Sequence, residues 1–130
     1  KNIQITRNYR EDVRTVRVDA DKIRQVFINL LRNASEAVDN GGQIKVDVSP
    51  VAEDGREWTR TAISDDGCGI PEKDWEHVFE PYYTTKASGF GLGLANARKI
   101  IEQHKGIIRV TNKTGGGARF EILLPVEEEK

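Results

Sequence analysis

Four groups of residues in this sequence have types and spacings that could do chemistry. The first is a row of side-chain amides. Gln25, Asn29 and Asn33 stand at i, i+4 and i+8, with Glu36 beside them, so on a helix they share one face. Lys and Glu are better helix formers, so amides in a row on a surface helix call for a reason. Amide oxygens are hard ligands that suit Mg²⁺; a solvated polar stripe fits the same row. The second group is Asp65-Asp66-Gly67-Cys68-Gly69-Ile70, placed straight after a stretch that reads as a strand. Glycines let backbone approach a planar ligand, and a carboxyl just ahead of them can accept a hydrogen bond from an exocyclic amine. An ordinary Asp-Gly turn is the plain alternative.

The third group, Gly89-Phe90-Gly91-Leu92-Gly93-Leu94, opens a helical pattern. Alternating glycines let a loop fold against phosphates while the helix N-terminus offers free N–H groups. A dinucleotide fingerprint needs G-x-G-x-x-G directly after a strand; here the spacing is G-x-G-x-G and a long loop precedes it. The fourth group is that loop, with Tyr82, Tyr83, Thr84, Thr85 and Lys86. Tyr82 reads as a residue packed on the core. Tyr83 and Lys86, with the two hydroxyls, read as a lid over a nucleotide.

The elements that must position these groups follow from periodicity. Asn2 to Tyr9 and Val13 to Val18 alternate as strands. A long helix follows, capped by Asp19 or Asp21 and stopped at Asn40-Gly41-Gly42, with Ile23, Val26, Phe27, Leu30, Ala34 and Ala37 as its buried stripe. Gln43 to Val48 and Glu57 to Ile63 form a hairpin around Asp54-Gly55. Pro71 opens a short helix over Glu72 to Val78. A second long helix runs from near Gly91 to near Gly106, its apolar face made by Leu94, Ala97 and Ile101. Ile107 to Thr111 and Ala118 to Leu124 close the chain as a hairpin through Thr114 to Gly117, and Glu127 to Lys130 form a charged, frayed tail. The expected fold is α+β: a two-layer sandwich with a mixed sheet of about five strands and three helices on one face.

Composition bounds the rest. The chain has 130 residues, 37% hydrophobic and 32% charged, with Lys plus Arg 20 against Asp plus Glu 21 and a net charge of −1. This suits one soluble domain with a real core and gives no basic field for nucleic acid. One cysteine, Cys68, excludes an internal disulfide and fits a reducing, cytoplasmic setting. No apolar run could span a bilayer, so no membrane contact is expected of this segment. A chain that opens on Lys1 and holds no methionine reads as a piece of a longer protein.

Taken together, the segments resemble the catalytic ATP-binding domain of sensor histidine kinases, with the Bergerat fold shared by gyrase, the ninety-kilodalton heat-shock chaperones and mismatch-repair ATPases. Gln25-x-x-x-Asn29-Leu-Leu-x-Asn33-Ala is similar to the asparagine box. Ile63-Ser-Asp65-Asp-Gly67-Cys-Gly69-Ile70-Pro71 is similar to the first glycine box. Val78-Phe79-Glu80-Pro81-Tyr-Tyr83-Thr84-Thr85-Lys86 is similar to the phenylalanine box, and Gly89 to Leu94 to the second glycine box. The resemblance runs from about Asp19 to Pro125, and the short lid with its Thr-Thr-Lys ending looks most like the nitrogen-regulatory subgroup. It implies that Asn33 coordinates Mg²⁺ on the ATP phosphates with support from Asn29, and that Asp65 accepts the adenine amine. Gly67, Gly69 and Ile70 would line the base. Tyr83 and Lys86 would close over the ribose and phosphates, the backbone of Gly91, Leu92, Gly93 and Leu94 would hold the triphosphate, and Thr84, Thr85, Gly89 and Phe90 would complete the nucleotide site. The implied partners are the kinase's own dimerisation helices, which carry the phosphoacceptor histidine, and a downstream response regulator.

Three positions depart from the family pattern. Glu36 stands where many members have a basic residue, Ala118 where Thr is usual, and Lys105-Gly106 where Gly-Gly is common. Hydrolytic relatives carry a Glu at the position of Asn29 as general base; an amide cannot serve so, which points to phosphoryl transfer over hydrolysis. An ATPase, a sigma-factor-restraining serine kinase and a non-catalytic ATP sensor are the rival functions. His77 and His104 read as packing or surface residues, Trp58 and Trp75 as core or core-edge anchors.

Overall fold

In the computed structural model, which describes residues 3–12, 15–38, 41–81, 93–113 and 115–126, Asp19 starts the first helix by accepting from the backbone N–H groups of Asp21 and Lys22 through its side chain. This satisfies two of the donors a helix start leaves without partners. The helix, α1 (Ala20–Ala37), buries Ile23, Val26, Leu30 and Ala34, the spacing of one helical face. Phe27 is half-buried and packs on the same core. Val38, buried and extended, ends it; Asn40 lies outside the described residues.

The strands are β1 (Gln4–Tyr9), β2 (Gln43–Glu53), β3 (Arg56–Asp65), β4 (Ile107–Asn112) and β5 (Ala118–Pro125), in the sheet order β1-β2-β3-β5-β4. β1 runs parallel to β2 and the other pairs are antiparallel, so the sheet is mixed, as expected. Asp54 and Gly55 both take positive φ, 52° and 73°, the geometry whose twist matches a two-residue hairpin. One sheet face carries Ile44, Ile63, Val110, Phe120 and Ile122 into a common core with α1 and with the second helix, α2 (Gly93–Gln103), which contributes Ala97, Ile100 and Ile101. On the opposite face Ala62 and Leu123 are fully buried beneath ion pairs. Glu121 there meets Arg109, Arg60 and Arg119 at 3.1, 3.5 and 3.6 Å, and Arg109 also grips Glu53 with two bonds of 3.0 and 3.2 Å.

Three expected elements come out differently. Val13 and Arg14 are outside the described residues, and residues 15–19 form no strand. Val16 and Val18 alternate because they pack on the core, not because a neighbouring strand pairs with them. The helix expected over Glu72 to Val78 is a single 3₁₀ turn, Glu72–Asp74, followed by turns. So short a stretch recovers little of the cost of helix nucleation, and burial of Val78 and Phe79 draws the chain inward. Two α-helices therefore stand, among the described residues, where three helices were expected. α2 stops at Gln103, short of Gly106.

The end of α2 explains that stop. The N–H of Gly106 donates to the Ile101 carbonyl and that of Lys105 to the Glu102 carbonyl, the paired closure that needs a left-handed residue after the cap. Lys105 supplies it at φ 61°. His104 ties this end to the start of α1: its Nδ1 donates to the Ile100 carbonyl at 2.8 Å, and its Nε2 accepts from the Asp19 N–H at 3.0 Å. A left-handed Lys is strained where Gly is not. Lys105→Gly is expected to raise stability by about 0.5–1 kcal/mol, read as a shifted midpoint in urea unfolding with an unchanged slope.

Candidate functional site

Asp65 ends β3 on the core face and is only 2% exposed. Its Oδ1 accepts from the N–H of Gly67 at 2.9 Å and from that of Ala118 at 3.2 Å. Both donors are backbone, so Ala118 delivers its bond whatever its side chain. The neighbouring Asp66 does a different job. Its Oδ1 accepts from the Gln43 N–H at 3.0 Å, and its own N–H donates to the Gln43 carbonyl, so it fastens the loop to the start of β2. Of two adjacent carboxyls, one is turned inward and the other is spent on the sheet.

The loop beyond them is held by its neighbours. Gly67 lies against the last turn of α1, where a Cβ would collide with the Ala37 carbonyl. The Ile70 N–H donates to Asn112 Oδ1 at 2.9 Å, and the Ile70 carbonyl accepts from Asn112 Nδ2 and from Trp75 Nε1, each at 2.9 Å. Trp75 is half-buried and packs on the core, as expected. Asn112 was not among the expected site residues. Its one sequence signal is an Asn closing a strand rich in β-branched residues, Ile107 to Asn112, where Asn is disfavoured.

The amide row lies where the other groups meet. Asn29 Nδ2 donates to the Gly93 carbonyl at 3.3 Å, which joins the middle of α1 to the first residue of α2. Asn29, Asn33 and Ala37 follow at four-residue steps, so Asn33 stands about 6 Å, one helical turn, from each. One neighbour touches Gly93 and the other packs on Gly67. Asn33 is half-buried and Glu36 is exposed. Leu94 packs on the core. Among the described residues, no group of three His, Cys, Asp or Glu side chains could hold a metal ion. Tyr82, Tyr83, Thr84, Thr85, Lys86, Gly89, Phe90, Gly91 and Leu92 lie outside the described residues.

Each histidine has partners of its own. His104 joins the two helices, as above. The exposed His77 pairs with Glu80, Nδ1 to Oε1, at 2.9 Å, and this hydrogen bond raises its pKa above the ordinary 6.5. Cys68 is exposed.

Comparison with known proteins identifies the architecture. Residues 18–128 match the family described as the histidine kinase-, DNA gyrase B- and HSP90-like ATPases. The chain belongs to this ATPase family. Among its relatives, sporulation kinase E of Bacillus subtilis (strain 168) is 37% identical over 127 residues, and the sensor histidine kinase ZraS of Salmonella typhimurium is 40% identical over 126. These alignments take in 98% and 97% of the chain but only 17% and 26% of the relatives, so the chain spans about a quarter or less of their length. The catalytic domain of histidine kinase ThkA superposes with a TM-score of 0.83 at 36% identity, covering 95% of this chain and 79% of that one. The mycobacterial sensor histidine kinase MprB gives 0.82 at 25% identity, with 98% and 84% covered. Within the family fold described here, no helix among the described residues is long and apolar enough to cross a membrane.

The close fit around Asp65 sets a steric test. Gly117 has φ 94°, and a Cβ there would run into the Asp65 carbonyl oxygen; Gly115 has the same φ with nothing within 4 Å. Gly115→Ala is expected to cost about 1 kcal/mol, from backbone strain alone. Gly117→Ala should cost roughly 3 kcal/mol or more, because overlap is added to strain. Equal losses in urea unfolding would show that the β4–β5 turn does not press on Asp65.

Proposed function

We propose that this chain binds Mg²⁺-ATP and gives its γ-phosphoryl group to a histidine on separate dimerisation helices of a longer kinase. It would work in the cytoplasm as the single catalytic domain, residues 1–130, of a two-component phosphorelay, with a response regulator as the next member. One arrangement carries most of this reading: Asn33 lies on α1 midway between the residue touching Gly93 and the residue packed on Gly67. A base held at Asp65 and phosphates held at the start of α2 would then both lie beside the amide row.

In this reading Asp65 accepts the adenine amine, while Gly67, Gly69 and Ile70 line the base. Asn33 is the metal ligand, Asn29 orients it, and the bound Mg²⁺ offsets phosphate charge. Lys86, Tyr83, Thr84 and Thr85 cover the ribose and phosphates, and the backbone of Gly89, Phe90, Gly91, Leu92, Gly93 and Leu94 cradles the triphosphate at a helix N-terminus. Phosphoryl transfer asks mainly for positioning and charge stabilisation. Asn29, already donating to the Gly93 carbonyl, has no basic group with which to activate water, which favours transfer over hydrolysis. The hydrogen bonds that already occupy both histidines favour an acceptor outside this chain.

Titration calorimetry tests the assignments. Asn33→Ala is expected to lose the tightening of ATP binding by Mg²⁺, and Asp65→Asn to lose roughly tenfold in preference for ATP over GTP. Variants that both bind as the parent does would defeat the site. Incubation of the chain with γ-labelled ATP should leave His77 and His104 unlabelled; stoichiometric label on either would place the acceptor within it.

A further inference from the structure

The two walls of the proposed base site hang from one rung of the sheet. Asn112 pairs with Ala118 in the β4–β5 register. The Ala118 N–H holds Asp65 Oδ1, and the Asn112 side chain holds Ile70. We propose that Asn112 is a positioning residue for base recognition, its carboxamide fixing the Gly69–Ile70 loop at a set distance from Asp65. This deepens the nucleotide reading above and rests on it.

A side-chain amide offers the same donor and acceptor as a peptide group. Bonded to both the N–H and the carbonyl of Ile70 at 2.9 Å, Asn112 acts as a one-residue strand partner for a loop that belongs to no strand. Trp75 adds a second donor to the Ile70 carbonyl, so this carbonyl is held from two sides. Gly69 has φ 78°, and a Cβ there would lie 2.9 Å from Asn112 Oδ1. The glycine is therefore needed for the amide to reach its target. Asn112 is exposed, so water competes for each bond singly, and the clamp works because its bonds form together. A serine hydroxyl cannot span both groups of Ile70. An aspartate can accept from the Ile70 N–H but, when ionised, cannot donate to its carbonyl.

The test compares ATP with inosine triphosphate, which has a carbonyl in place of the exocyclic amine. With the Mg²⁺ complexes measured by calorimetry, Asn112→Ala should cut the preference for ATP by about fivefold. Asn112→Ser should do the same, and Asn112→Asp should fall between them and the parent. A residue needed only for folding would lower both affinities together or shift only the melting temperature. An unchanged ratio in the Ala and Ser variants, with the parent discriminating normally, overturns the role of Asn112 and leaves the nucleotide reading standing. A parent that binds neither triphosphate, or binds both equally, defeats that reading itself and the positioning role with it. The Ser variant is the milder replacement and answers the question if the Ala variant does not fold.

Discussion

A carboxyl group taken out of water at the end of a strand must have its bonds supplied by the protein, since an unpartnered buried polar group costs roughly 1–3 kcal/mol. Asp65 is that group here, and its surroundings are arranged to meet the demand. The loop bends so that the Gly67 N–H turns back to it, and β5 begins where the Ala118 N–H can reach it. The turn before β5 comes close enough that Gly117 has no room for a side chain. Three parts of the chain, near residues 65, 67 and 118, thus share one fixed point. The loop that leads on to Ile70 takes its course from there.

The larger elements were legible in the sequence because their signals are local. The recurrence of Ile23, Val26, Leu30 and Ala34 marks the buried face of α1, and Asp54-Gly55 marks the hairpin between β2 and β3. Asp19 as N-cap is readable for the same reason. What misled or stayed hidden depends on distant partners. Val16 and Val18 alternate like a strand, yet what they match is the core surface beneath them. Glu72 to Val78 has a good helix start, but Trp75, Val78 and Phe79 answer to the core and to Ile70. Asn112 meets Ile70 across 42 positions of sequence, and no local pattern foretells such a pairing.

The glycines illustrate a subtler limit. Gly67 and Gly69 were read as room for a ligand. In the fold, the space that a side chain would need at each is taken by protein: the Ala37 carbonyl at one and Asn112 at the other. These residues allow backbone segments to close on one another, and whatever surface the loop presents to a ligand is a product of that closure. A glycine motif can therefore encode the packing of a site as much as its contents.

The link through His104 also determines how α1 and α2 can shift against each other. It couples the beginning of α1 to the far end of α2, so the displacement that a change in the angle between the helices would produce is smallest there and grows along α2. Gly93 lies eleven residues back from His104, roughly 16 Å at the helical rise, and a tilt of about 5° would carry it about 1.4 Å. A displacement of that size is enough to break a single hydrogen bond such as the one between Asn29 and Gly93. In such a tilt the imidazole would be the fulcrum of a lever whose long arm ends at the amide row.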